Sequence, residues 1–237
     1  MIRSMLLFCL LTVAGVAAAA GNGPIYDIEV DLDDKESLQN GARLFVNYCM
    51  GCHSAKYMRY NRLGKDLGIP ESVLEKNLMF GTDKVGSTMD NAMPADEAEQ
   101  WFGVTPPDLT LTARSRGPDW LYSYLTTFYR DPDSTTGFNN WQFKGVAMPH
   151  VLWQLQGIKR PVYDDDGHIK ALETAVRGSM TDEEFHSAMH DLVSFMVYLA
   201  EPAKMQRYTI GAWVMFYLLI LLVVVYLLKK EFWRDLH

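Results

Sequence analysis

The apolar and polar positions of this chain sort into distinct patterns, each predicting a different kind of element. Residues 210–228 (IGAWVMFYLLILLVVVYLL) carry no charge, are about as long as a bilayer core requires, and place Trp213 and Tyr226 near their margins. A core helix apolar on every side would need protein all around it, and little chain is left to supply it. The pattern therefore predicts a transmembrane helix over 209–228. Lys229, Lys230 and Arg234 follow at once, opposed only by Glu231 and Asp235, which puts the 229–237 tail in the cytoplasm. Lys204 and Arg207 on the other flank weaken that charge argument taken alone. At the other end of the chain, Arg3, an apolar run at 5–16 and the alanines at 17–20 stand in the order of a secretory signal peptide, 1–20, cleaved near Ala20. Export of the following domain sets the orientation independently.

The interval 21–208 has the size of one domain and shows no repeat and no low-complexity tract. Its periodicity is helical, with long loops between helices. Leu38, Ala42, Phe45 and Tyr48 share one face of a helix over 37–48. A short helix over 71–80 is framed by Pro70 and Gly81, and Pro118 opens another that carries Leu121, Leu125 and Phe128. Thr181 with Glu184 forms a capping-box pattern, after which Phe185, Ala188, Leu192, Phe195 and Leu199 keep helical spacing until Glu201-Pro202. Residues 131–179 are poorer in helix signals, and Asp166-Gly167 predicts the turn of a short hairpin.

Charge and cysteine usage narrow the chemistry. The formal net charge is -7, and loss of Arg3 with the leader takes it to -8, so no nucleic-acid partner is expected. Cys9 would leave with the leader. The mature chain then holds only Cys49 and Cys52, which excludes an intramolecular disulfide if both are otherwise engaged.

They are engaged by the motif they form. Cys49-Met50-Gly51-Cys52-His53 is C-x-x-C-H, the attachment signature of a c-type haem. Two thiols add across the porphyrin vinyl groups, and the adjacent histidine supplies an imidazole nitrogen to the iron. A zinc site would need two further ligands, and a thioredoxin-like pair would sit beside a βαβ pattern that residues 40–60 do not show. One covalent haem c is therefore expected, with His53 as iron ligand.

The sixth ligand decides what such a haem does. Methionine sulfur favours ferrous iron and suits electron transfer, whereas an open position suits ligand binding or catalysis. Two Met-Pro pairs stand out, Met93-Pro94 and Met148-Pro149, because an adjacent proline can fix a loop methionine toward iron. Met93 precedes the charged Asp96, Glu97 and Glu99, while Met148 lies among Val146, Ala147, Val151 and Leu152, a better wall for a ring face. His150 is an alternative ligand, disfavoured because bis-histidine ligation would lower the potential. His186 and His190 stand four residues apart on a predicted helix, but the zincin pattern is absent and a surface or core role is the simpler reading.

The export signal, the single C-x-x-C-H after a short helix, the string Pro106-Pro107-Asp108-Leu109-Thr110 leading to Arg114-Ser115-Arg116, then Ala147-Met148-Pro149 and one terminal span resemble, in this order, the cytochrome c1 family, the haem subunit of the cytochrome bc complex. The resemblance covers essentially the whole chain. It implies a mainly α, class I cytochrome c-like haem domain with long loops plus one C-terminal transmembrane helix. It assigns haem attachment to Cys49 and Cys52, proximal ligation to His53, distal ligation to Met148, and a haem propionate to Arg116. It also places Pro107 and Trp120 in the haem pocket. A tyrosine is expected where Trp120 stands, which puts a hydrogen-bonding role there in doubt.

The implied activity is a relay of single electrons from the Rieske iron-sulfur protein to a soluble or membrane-bound cytochrome c, inside a ubiquinol-cytochrome c oxidoreductase. The chain would be no enzyme on its own. Cytochrome b and membrane lipid would surround the anchor, in a dimeric complex, at the bacterial inner membrane with the haem domain in the periplasm. Acidic clusters at 27–36, 96–99 and 164–166 would steer a basic cytochrome c in aggregate, although surface solubility accounts for any one of them. The competing readings are a haem enzyme with an open distal site, a haem-bearing assembly subunit, and the cytochrome c subunit of a terminal oxidase.

Overall fold

The computed structural model describes residues 23–234. The expected signal peptide and the last residues of the tail lie outside this range. From the N-terminus the elements are α1 (Lys35–Tyr48), β1 (Ala55–Arg59), α2 (Tyr60–Leu67), α3 (Glu71–Asn77), β2 (Thr88–Met89), α4 (Ala95–Phe102), α5 (Thr112–Arg116) and α6 (Pro118–Thr126). They continue with β3 (Phe128–Arg130), β4 (Phe138–Asn140), α7 (Trp153–Gln156), β5 (Gly157–Tyr163), β6 (Ile169–Arg177), α8 (Asp182–Ala200) and α9 (Lys204–Phe232). The strands form separate antiparallel pairs, β1 with β2, β3 with β4 and β5 with β6. The architecture is mainly α with long loops, as the periodicity predicts.

The centre of the fold is the crossing of α1 over α8. Asp34 starts α1 by accepting from the backbone N–H groups of Glu36 and Ser37, and Leu38, Ala42 and Phe45 on its inner face are fully buried. Thr181 and Glu184 close the capping box that starts α8, and Leu192, Phe195 and Leu199 meet the α1 face. Phe45 and Phe195 pack with ring centroids 5.5 Å apart. Burying side chains of this size stabilises by about 1.5–3 kcal/mol each. Asp191 fastens the crossing, since one carboxylate oxygen accepts from Ser37 Oγ at 2.7 Å and the other from the Asn40 amide.

Two further devices hold helices around this crossing. Tyr198 of α8 donates to Asp66 of α2 at 2.9 Å, and Asp66 pairs with Arg62 at 3.2 Å. The segment before α1 is strapped across α6 and α8. The backbone N–H groups of Tyr26 and Ile28 donate to Ser123 Oγ at 2.8 Å and Asp119 Oδ1 at 3.1 Å, and His190 Nε2 lies 2.6 Å from the Glu29 carbonyl.

The region expected to be poor in helix contains only α7, and its hairpin is longer than foreseen. β5 and β6 run from a Gly157–Arg177 pairing to Tyr163–Ile169, with Gly167 at φ 80° in the turn. Gly157 has φ 88°, and an added Cβ would run into the Val176 carbonyl oxygen, so only glycine fits the base of the hairpin. Phe128, grouped with the α6 periodicity in the sequence, instead begins β3, after the helix ends at Thr126. The apolar helix α9 extends past the uncharged run at both ends, and its span Gln206–Phe232 is not buried by the rest of the described residues.

Candidate haem site

The C-x-x-C-H motif begins where α1 stops. Cys49 caps the helix with its N–H on the Phe45 carbonyl, and the N–H groups of Cys52 and His53 both turn back to the Cys49 carbonyl, at 3.1 and 2.9 Å. This tight turn brings Cys49, Cys52 and His53 to one wall of a cavity of about 390 Å³. That volume lies within the range of about 300–1,000 Å³ usual for sites that bury an organic ligand. The lining is drawn from the whole domain. Tyr48 comes from α1, Pro106, Pro107 and Leu109 from the loop before α5, and Arg116 from α5. Trp120, Leu121 and Tyr124 come from α6, Ala147, Met148 and Pro149 from the following long loop, and Leu192 and Met196 from α8. Every residue expected at the haem, Pro107 and Trp120 included, therefore faces the same space.

The histidine is oriented by the loop that carries the Pro-Pro-Asp-Leu string. His53 Nδ1 lies 2.7 Å from the Pro107 carbonyl oxygen, which can only accept, so Nδ1 carries the proton and Nε2 is left with a free lone pair. The Leu109 N–H donates to the Ser54 carbonyl at 2.9 Å and the Lys56 N–H to Asp108 Oδ2 at 2.8 Å, locking that loop beside the motif. Burial lowers the His53 pKa, and the Pro107 hydrogen bond and the Asp108 charge oppose it more weakly. The neutral imidazole is the form a metal requires. Burial, helped by Cys52, pushes the Cys49 thiol up to about 12, and burial also raises Cys52.

On the methionine side, the Tyr124 hydroxyl donates to Met148 Sδ at 3.4 Å. Arg116, Trp120, Tyr124 and Phe128 recur every four residues, the first at the end of α5, the next two within α6 and the last at the start of β3, and they form a column. The Arg116 guanidinium sits 4.9 Å from the Trp120 ring centroid, Trp120 stacks on Tyr124 at 5.1 Å and 11°, and Tyr124 meets Phe128 edge-on at 5.2 Å. Trp120 thus offers a stacking surface. Tyr124 and the Pro107 carbonyl are the features that sequence reading missed. The four-residue spacing was visible as a signal for the first, whereas nothing in a sequence marks a backbone carbonyl.

The weaker ligand candidates lie elsewhere. Met93 lines a separate polar cleft of about 90 Å³ with Asn91 and Asp108. His150 is buried, stacked on Phe128 at 5.0 Å and 2° and met edge-on by Phe138, and among the described residues neither ring nitrogen finds a partner in hydrogen-bonding geometry. Burial pulls its pKa down to about 4, against weaker upward contributions from nearby Gly157 and Gln156. His186 Nδ1 lies 2.7 Å from the Tyr122 hydroxyl, while His190 turns to Glu29, so the pair does not converge on a common point.

A helical shell around one thiol, thiol, imidazole and thioether set, continued by one apolar helix on which none of the described residues packs, defines a membrane-anchored c-type cytochrome. The donor set and the apolar lining fit a covalent haem. Residues 29–236 match the family model described as the cytochrome C1 family. The cytochrome c1 of Allochromatium vinosum is 44% identical, over 97% of each chain. A Nitrosomonas europaea protein named ammonia monooxygenase gamma subunit is 46% identical, over 98% of this chain and 97% of its own. The cytochrome c1 of Cereibacter sphaeroides is 25% identical, over 99% and 97%. The chain belongs to the cytochrome c1 family. It carries one covalently bound haem c and is a membrane-anchored electron-transfer subunit of a cytochrome bc1 oxidoreductase.

Proposed function

We propose that this chain relays single electrons from the Rieske iron-sulfur protein to a soluble or membrane-bound cytochrome c, with its haem domain in the periplasm and its C-terminus in the cytoplasm. The observation that carries the reading is the single cavity that gathers Cys49, Cys52, His53, Met148 and Arg116. The bound haem supplies one-electron chemistry at its iron. Cys49 and Cys52 hold it by thioether bonds, and His53, oriented by the Pro107 carbonyl, presents Nε2 as proximal ligand. Met148 would supply its thioether sulfur to the iron, which would favour the ferrous state and suit electron transfer rather than substrate binding. Arg116 neutralises a propionate, with a planar guanidinium matched to a carboxylate. Pro107 and Trp120 line the pocket.

Around the anchor, Trp213, Phe216 and Tyr217 are exposed in the isolated chain, and in the complex they would face cytochrome b or lipid. The test is potentiometric titration of the haem in the purified full-length protein beside Met148→Leu. A clearly positive midpoint that collapses in the variant is expected. A low midpoint indifferent to the substitution would overturn the ligand assignment and favour a haem with an open or bis-histidine site.

A further inference from the structure

We infer that Tyr124 tunes the haem through the Met148 sulfur, acting as a positioning residue that raises the midpoint potential; this rests on Met148 being the sixth ligand. A thioether sulfur carries two lone pairs. Where one is given to iron, the other is free to accept a hydrogen bond, and the Tyr124 hydroxyl stands at 3.4 Å as its donor. Among the described residues that sulfur is the hydroxyl's one hydrogen-bond partner. The direction of the bond is fixed by chemistry, since a thioether cannot donate.

The geometry around the ring holds the donor in place. Tyr124 is pinned face-on by Trp120 at 5.1 Å and edge-on by Phe128 at 5.2 Å, and Trp120 is in turn capped by Arg116. A ring so confined cannot swing its hydroxyl off the sulfur without breaking a stack. The column runs from Arg116 at the end of α5, through Trp120 and Tyr124 one turn apart on α6, to Phe128 at the start of β3. It links the sulfur end of the pocket to the guanidinium end.

The electronic consequence follows. A proton shared with the sulfur withdraws electron density from it and makes it a poorer donor to ferric iron, which tilts the equilibrium toward ferrous iron. Removing the hydroxyl alone restores that density.

The experiment compares full-length wild type, Tyr124→Phe, Tyr124→Leu and Met148→Leu, each normalised to haem content. The readouts are the midpoint potential and the sulfur-to-iron charge-transfer band of the ferric form. Tyr124→Phe is expected to keep the band and to lower the ratio of reduced to oxidised haem at a fixed potential about threefold, which is about 28 mV at 59 mV per tenfold for one electron. Tyr124→Leu should show at least the same shift, and Met148→Leu should lose the band. An unchanged midpoint in Tyr124→Phe, with a shift only in Tyr124→Leu, would mean that the ring merely packs and would overturn the inference. A band that survives in Met148→Leu would overturn the ligand assignment itself, a distinguishable failure.

Discussion

Gly41 of α1 passes so close to Asp191 of α8 that an added Cβ would overlap the Asp191 carbonyl oxygen and crowd Phe195 Cβ at 2.6 Å. Neither neighbour can yield, because Phe195 is fully buried and Asp191 holds Ser37 and Asn40. Gly41→Ala must therefore prise apart the two helices that frame the haem cavity. The expected loss is on the order of 3 kcal/mol, the upper part of the usual overpacking range. Denaturant midpoints of the haem-loaded protein would measure it, and a variant within 0.5 kcal/mol of wild type, roughly the spread of neutral surface changes, would contradict the close crossing.

Arg116 contributes a positive charge to the cavity lining and a cap to Trp120. A cation near the iron penalises the ferric form, which carries the extra positive charge. Arg116→Gln is expected to lower the midpoint by on the order of 1 kcal/mol, the worth of a partly solvated charge interaction, with Arg116→Lys closer to wild type. Potentiometry on both variants decides it; equal midpoints for Arg116→Gln and wild type would place the guanidinium away from any haem carboxylate.

His186 sets a pH dependence of stability. Burial is the largest influence lowering its pKa, Lys159 adds to it and Asp182 opposes it, while Tyr122 holds Nδ1. Its folded pKa lies below the unfolded value of about 6.5, so the unfolded chain takes up the proton first. The stability from the neutral ring is complete above that pH and is lost as the pH falls toward the folded pKa. Urea midpoints between about pH 7.5 and about pH 5.5, roughly one unit on either side of the unfolded value, should fall for wild type and fall less for His186→Gln. A steeper decline in the variant would reverse the sign of the argument.

The orientation of α9 is tested by its flanks. A fluorescent reporter fused after His237 should fold and fluoresce, and a periplasm-dependent phosphatase fused there should be inactive, if Lys229 and Lys230 stay in the cytoplasm. The opposite pair of results would invert the topology.

The chemistry of this protein is legible in local sequence because it depends on covalent spacing. C-x-x-C-H needs only the chain geometry of residues 49–53, the anchor only the length of an uncharged run, and the α8 start only Thr181 and Glu184 three positions apart. Amphipathic spacing likewise marked the inner faces of α1 and α8, since burial follows the helical period wherever one face meets a core.

Tertiary structure alone decided which distant groups meet. Whether Met93 or Met148 faces the space beside His53 depends on the path of long loops, and those paths are set by contacts such as Leu109 with Ser54 and Asn140 with Tyr124. The Pro107 carbonyl on His53, the Tyr124 hydroxyl on Met148 and the burial of His150 between aromatic rings share this origin. Each pairs residues that no periodicity relates, and the close packing of the whole domain selects them.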